Sequence, residues 1–189
     1  MKILYNGDSW CWGYSLDNRE DRYPVQLSKK LKAQYTDLSD HGCSNRRIVR
    51  TTLDHDVSSY DLGIICMTFK NRTEFYIDGQ WEHVNPGRGE GKKFLDYYKN
   101  YYDEEYGHSD EFIFRQAIID HFKANETELL LLTVSKNTKY SYDLQLNNPD
   151  LPLGITKHPT TEGHRIIANQ IYETLIKRNK IPLQNVETT

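Results

Sequence analysis

Two short stretches near opposite ends of the chain carry residue types that together could do acyl-transfer chemistry. Gly7-Asp8-Ser9 follows an apolar run at the start, and His158-Pro159-Thr160-Thr161-Glu162-Gly163-His164 stands near the end. A serine hydroxyl attacks poorly unless a base takes its proton, and histidine is the side chain whose ordinary titration range suits that task near neutral pH. Taken alone, Gly-Asp-Ser is a common turn. Its place immediately after a predicted strand is what makes Ser9 a candidate nucleophile, with His158 as its base. Asp8 reads as the residue that fixes the turn through an Asx-type hydrogen bond, and His164 as a packing or capping residue.

To meet, these residues need a fold that gathers its loops along one edge. Lys2 to Tyr5 predicts a strand, and Pro24 to Leu31 a helix with proline in its first turn. Tyr35 to Leu38 reads as extended, Ser44 as the N-cap of a helix to about Leu53, and Leu62 to Met67 as a strand buried on both faces. Lys92 to Tyr106 and Asp110 to Lys123 predict two helices, Glu128 to Val134 a further strand, and Thr161 to Lys177 a closing helix. Alternating strands and helices imply a three-layer α/β/α sandwich with a flavodoxin-like, mainly parallel sheet. Right-handed crossovers then put the loops after the strands on one edge, where open sheets hold their ligands. The expected organisation is a single domain over residues 1–181, with an irregular insertion at about 69–107 and a polar tail at 182–189.

Within that order, the blocks around Ser9, Asp40-His41-Gly42-Cys43-Ser44-Asn45 and His158 resemble the SGNH or GDSL hydrolase family, whose first block holds the serine and whose last holds the histidine. The resemblance implies an esterase or deacetylase that works through an acyl-serine intermediate, with no metal or organic cofactor. It assigns Ser9 and His158 to catalysis and the N–H groups of Ser9 and Gly42 to the oxyanion hole. Two positions depart from the pattern. Thr68 stands where the family has an asparagine, leaving its hydroxyl, or the amide of Asn45 or Asn71, as the further donor. Ile155 and Thr156 stand where an aspartate would orient the histidine. Asp150, another distant carboxylate or a backbone carbonyl could take that role, the last making a Ser-His dyad; a relic site is the third alternative. The competing function is a catalytically impaired binding protein of the same fold, for a glycan or protein partner.

Composition narrows the partners. Lysine and arginine number 24 against 27 acidic residues, a balance that gives no broad basic field for nucleic acid. Arg46, Arg47 and Arg50 form a local cluster that reads as a solvated helix face. No apolar stretch is long enough for a bilayer or a signal peptide, and Cys11, Cys43 and Cys66 are too few and scattered for a disulfide framework or a zinc site. These features point to a cytoplasmic protein with no membrane partner, and the family resemblance implies a small ester or acylated glycan as its substrate. Tyr97, Tyr98, Tyr101, Tyr102 and Tyr106 read as packing, or more sharply as a wall of the substrate pocket.

Overall fold

The computed structural model describes residues 1–86 and 94–178. Its centre is a five-stranded sheet built from β1 (Lys2–Asn6), β2 (Gln34–Asp37), β3 (Leu62–Met67), β6 (Glu128–Thr133) and β7 (Leu144–Gln145), in the order β2-β1-β3-β6-β7. Every pairing in it is parallel. The central strands β1, β3 and β6 are apolar at successive positions because both faces are covered, as parallel sheets require. Ile3, Tyr5, Ile64, Cys66, Leu130 and Leu132 face one layer, formed by α2 (Tyr23–Leu31) and α6 (Thr161–Lys177). Leu4, Ile65, Met67 and Leu131 face the other, formed by α3 (Asn45–Leu53) and α5 (Glu104–Ala124). This is the α/β/α sandwich with a parallel sheet that the strand and helix alternation predicts.

The region at 69–107 holds structure that the sequence pattern does not announce. An antiparallel hairpin, β4 (Thr73–Ile77) and β5 (Gln80–Val84), turns through Asp78 and Gly79, both at positive φ. Buried Glu74 ties this hairpin to α3 through a two-pronged pair with Arg50, at 2.9 and 3.1 Å. Arg47 donates to the Leu38 carbonyl, so the three arginines do not present a common free basic face. The tyrosines pack the hairpin: Tyr98 donates to the Asn71 carbonyl at 2.7 Å, and Tyr97 meets Phe75 edge-on.

The two helices predicted at Lys92–Tyr106 and Asp110–Lys123 divide elsewhere. The first is a short α4 (Leu95–Asn100), and the second starts earlier, because the Asp103 side chain caps α5 by accepting from the Tyr106 N–H. Gly107, which reads as a break, lies inside α5. A Cβ there would fall 2.5 Å from the Tyr102 hydroxyl, so its smallness admits that ring. The predicted helix start at Lys92 lies outside the described residues, as does the tail at 182–189. No helix among the described residues is long and apolar enough to cross a membrane.

Candidate active site

β1 delivers the chain to Gly7 at the carboxyl edge of the sheet. A methyl group on Gly7 would sit 2.8 Å from Cys11 Cβ and 3.1 Å from Cys66 Cβ, closer than packed carbons tolerate. The Cys43 thiol donates to the Gly7 carbonyl at 3.3 Å, so all three cysteines converge on this one glycine. They are free and fully buried. Burial pushes the Cys43 thiol up to about 12 and those of Cys11 and Cys66 well above their ordinary value. Protonated thiols are poor nucleophiles, so none of the three cysteines is a candidate nucleophile of this turn.

Asp8 Oδ1 accepts the Trp10 N–H at 3.0 Å and caps a single-turn helix, α1 (Ser9–Trp12), which Gly13 closes in the left-handed conformation. Ser9 is thus the first residue of a turn locked at both ends. His158 arrives from a loop closed by a bridge between Leu153 and Pro159 and by the Gly154 N–H donating to the His158 carbonyl at 2.8 Å. Thr160 then caps α6 by accepting the Gly163 N–H. His158 Nε2 lies 2.9 Å from Ser9 Oγ, and Nδ1 lies 2.9 Å from the Thr156 carbonyl. A carbonyl only accepts, so Nδ1 carries the proton and Nε2 presents its lone pair to the hydroxyl. Thr156, two residues before the histidine, therefore supplies a backbone oxygen at the place where the family pattern has a carboxylate. The Tyr14 ring packs against the imidazole at 4.8 Å, and Ser15 Oγ meets Thr156 Oγ1 at 2.8 Å.

The donors proposed from sequence divide into two groups. Gly42 is buried at φ +72, a conformation that suits glycine, and neither its N–H nor that of Ser9 makes a hydrogen bond among the described residues. Thr68 and Asn45 are engaged elsewhere. The Thr68 hydroxyl donates to Asp8 Oδ2 at 2.7 Å, while Asn45 clasps the Thr68 backbone, accepting its N–H at 2.7 Å and donating to its carbonyl at 3.1 Å. Arg72 joins them, with Nη1 at 3.0 Å from Thr68 Oγ1 and 3.3 Å from Asp8 Oδ2. Sequence reading missed Arg72, which falls in the stretch without periodicity. The one available signal was Asp8 itself, since a carboxylate at the buried end of a central strand needs a cationic partner.

His164 is not part of the Ser9–His158 contact. It is fully buried, and its Nδ1 accepts the Tyr23 N–H at 3.2 Å, satisfying a helix N-terminus that has no side-chain cap of its own. Burial, then the charges of His158 and Arg22, lower its pKa to about 4. A cleft of about 380 Å³ opens beside His158; Trp10, Phe69 and Leu153 give it apolar surface, and Arg72, Asn147 and Lys157 give it polar groups. Among the described residues no three histidine, cysteine or acidic side chains gather as a metal site.

No family model and no curated protein sequence matches the chain. Solved structures do. A psychrotrophic esterase from Pseudoalteromonas sp., in a form inhibited by monoethylphosphonate, is 13% identical with a TM-score of 0.56, over 95% of this chain and 99% of that one. A carbohydrate esterase whose active site displays divergent catalytic and non-catalytic binding functions is 12% identical with a TM-score of 0.61, over 93% and 68% of the two chains. A member of the lipolytic G-D-S-L family from Veillonella parvula is 10% identical with a TM-score of 0.51, over 93% and 98%. The chain has the fold of the GDSL or SGNH hydrolases, carried by a sequence that has diverged far from these neighbours.

Proposed function

We propose that the protein is a serine esterase working through a Ser9–His158 dyad. The observation that carries this reading is the imidazole held between two oxygens, with Nε2 at 2.9 Å from Ser9 Oγ and Nδ1 at 2.9 Å from the Thr156 carbonyl. In the first half-reaction Ser9 Oγ attacks the ester carbonyl carbon as its proton passes to His158 Nε2. The carbonyl oxygen becomes an oxyanion, for which the N–H groups of Ser9 and Gly42 are the proposed donors. Collapse expels the alcohol, which takes the proton from Nε2 and leaves an acyl-serine. In the second half-reaction His158 takes a proton from water, hydroxide adds to the acyl carbon, and Ser9 leaves with the proton returned. Donors fixed in a turn need no reorganisation as charge develops, and one such donor is worth on the order of 3 kcal/mol of transition-state stabilisation. The carbonyl at Nδ1 fixes the tautomer without placing a full negative charge beside the imidazolium, so the dyad is expected to turn over more slowly than a carboxylate-backed triad.

The substrate class is a small ester or an acylated glycan. The apolar and aromatic surface of the cleft beside His158 supports this, and one structural neighbour is a carbohydrate esterase. The test is labelling with a fluorophosphonate followed by peptide mass mapping. Modification at Ser9, lost together with ester hydrolysis in Ser9→Ala, is the expected result. No label and an unchanged hydrolysis rate in Ser9→Ala would reject the reading and favour a binding role for the same cleft.

A further inference from the structure

The cleft beside His158 has a charge that the rest of the chain does not. The whole protein carries a net charge of -3, yet the ionic side chains lining this cleft besides His158 are Arg72 and Lys157, with no carboxylate among its lining. The better placed of the two is Arg72. Its side chain is 14% exposed, its guanidinium lies over the Phe69 ring at 4.8 Å, and Nη1 is anchored on Thr68 Oγ1 and Asp8 Oδ2. Nε and Nη2 make no hydrogen bond among the described residues. One corner of the guanidinium is therefore fixed by the protein, and a fork of N–H groups remains for a ligand. A guanidinium fork matches the two oxygens of a carboxylate or phosphate, and one already immobilised loses little freedom on binding. Asp8 does not cancel this preference. It is fully buried on the Ser9 turn, does not line the cleft, and serves to orient the cation.

We propose that Arg72 is a specificity-determining residue that binds an anionic group, a carboxylate or phosphate, carried by the ester substrate, with Lys157 adding attraction from the histidine loop. The proposal rests on the esterase reading for the identity of the reacting bond, and on the cleft alone for the anion. The Ser9 hydroxyl then attacks a carbonyl a few bonds from the charged group. An ester of a dicarboxylic acid, or an acylated sugar bearing an acidic group, has that shape.

The test compares p-nitrophenyl hemisuccinate with p-nitrophenyl butyrate, two esters of equal chain length and equal leaving group that differ in charge. The wild-type protein is expected to prefer the hemisuccinate by about tenfold or more in kcat/KM, mainly through KM, with the preference shrinking as salt rises. Removing Arg72 alone leaves Asp8 buried without its cation, so two variants are used: Arg72→Lys, which keeps the charge but not the fork, and the double variant Asp8→Asn with Arg72→Gln. Both are expected to lower the anionic-to-neutral ratio about fivefold or more, whatever stability or turnover each loses, because the ratio compares two esters on one folded protein. Equal preference in the wild-type protein, or an anionic-to-neutral ratio unchanged in both variants, would overturn the proposal; an unchanged ratio with kcat lost on both esters in Arg72→Lys, which leaves Asp8 in place, would make Arg72 a general donor to the reacting carbonyl. A separate arm uses Ser9→Ala and calorimetric titration with N-propylsuccinamate, a non-hydrolysable anionic analogue, against uncharged N-propylbutanamide. Binding of the anion alone, weakened by Arg72→Lys, supports the anion site even if no ester is turned over, which would count against the dyad only. Failure of the anion to bind, while fluorophosphonate labels Ser9, would sink the anion site and leave the esterase reading standing.

Discussion

Ser9 stands on a turn that the core grips from several sides, whereas His158 stands on a loop that solvent reaches. The Ser9 turn has Gly7 wedged among three buried cysteines, Asp8 bonded to Trp10, Thr68 and Arg72, and a helix that starts and stops within four residues. On the His158 loop, Ile155 is fully exposed, Lys157 has φ +61, and the contacts that orient the ring include one backbone carbonyl, one tilted tyrosine ring and, behind the carbonyl, a hydroxyl pair at Thr156. The difference teaches where precision resides in this site. The proposed nucleophile is set by packing, which a whole domain enforces; the proposed base is set in part by local bonds within its loop. A mutation on the first side should cost stability or all activity, and one on the second side should cost turnover in graded steps.

The largest effect should come from the proposed reacting pair, Ser9 and His158. Ser9→Ala and His158→Ala are each expected to lower kcat by about 10³-fold or more, with the double variant hardly worse, because residues that act as a unit do not contribute additively. Steady-state kinetics on an aryl ester measure this. Additive losses would show that the two side chains act in separate steps and would dissolve the comparison.

Next comes the buried end of the histidine motif. His164 has a pKa of about 4 in the folded protein against 6.5 when exposed, so the unfolded chain binds the extra proton between those values. Stability present above pH 6.5 is then lost as pH falls toward 4, by up to about 3 kcal/mol from this group. His164→Asn keeps an oxygen to accept the Tyr23 N–H and cannot titrate. Urea unfolding at pH 7 and at pH 4.5 should show a smaller acid loss in this variant than in wild type. An identical loss would mean that His164 is not held neutral by the fold.

Gly7→Ala tests the packed side directly. The added methyl meets Cβ atoms of Cys11 and Cys66, not their thiols, so the clash persists if either cysteine is changed to alanine. Overpacking of this kind costs about 1–3 kcal/mol. Chemical denaturation should register it, and Cys11→Ala in the same chain should not restore it. Full rescue by Cys11→Ala would place the strain at the sulfur.

Much of this was legible in the sequence because it is written in local patterns. The apolar strands at Lys2–Asn6 and Leu62–Met67, the Ser44 cap and the amphipathic closing helix each follow from spacing, and the order of elements then dictates a parallel sheet whose loops share an edge. That Ser9 and His158 meet at one edge was legible for the same reason, each lying at a boundary between a predicted strand or loop and a helix. The hairpin at Thr73–Val84 was not, since its partners are Arg50 and Tyr98, remote in sequence and polar in type. Nor was the orientation of His158. A backbone carbonyl has no residue type, so no motif announces Thr156 in that role. Arg72 was hidden because its anchor, Asp8, lies 64 residues away.

The smallest expected effect probes how the histidine loop is held. Ser15 adopts φ +72, unusual for a serine, and its hydroxyl meets that of Thr156 at 2.8 Å on the surface. The bond joins the segment after α1 to the loop whose carbonyl holds Nδ1, so it couples the two sides of the site. An exposed hydrogen bond contributes about 0.5–1 kcal/mol at most to folding, and Ser15→Ala should leave the melting temperature nearly unchanged. Turnover is the sensitive readout: a looser Thr156 carbonyl lets the imidazole rotate, so kcat should fall about two- to fivefold with KM little altered. Thr156→Val keeps the carbonyl and removes the same hydroxyl partner, so it should give a similar loss. The double variant should be no slower than either single one, because both remove one bond. Additive losses in kcat would show that Ser15 and Thr156 act on His158 independently, and the loop would then owe its position to the Tyr14 ring and its own backbone bridge.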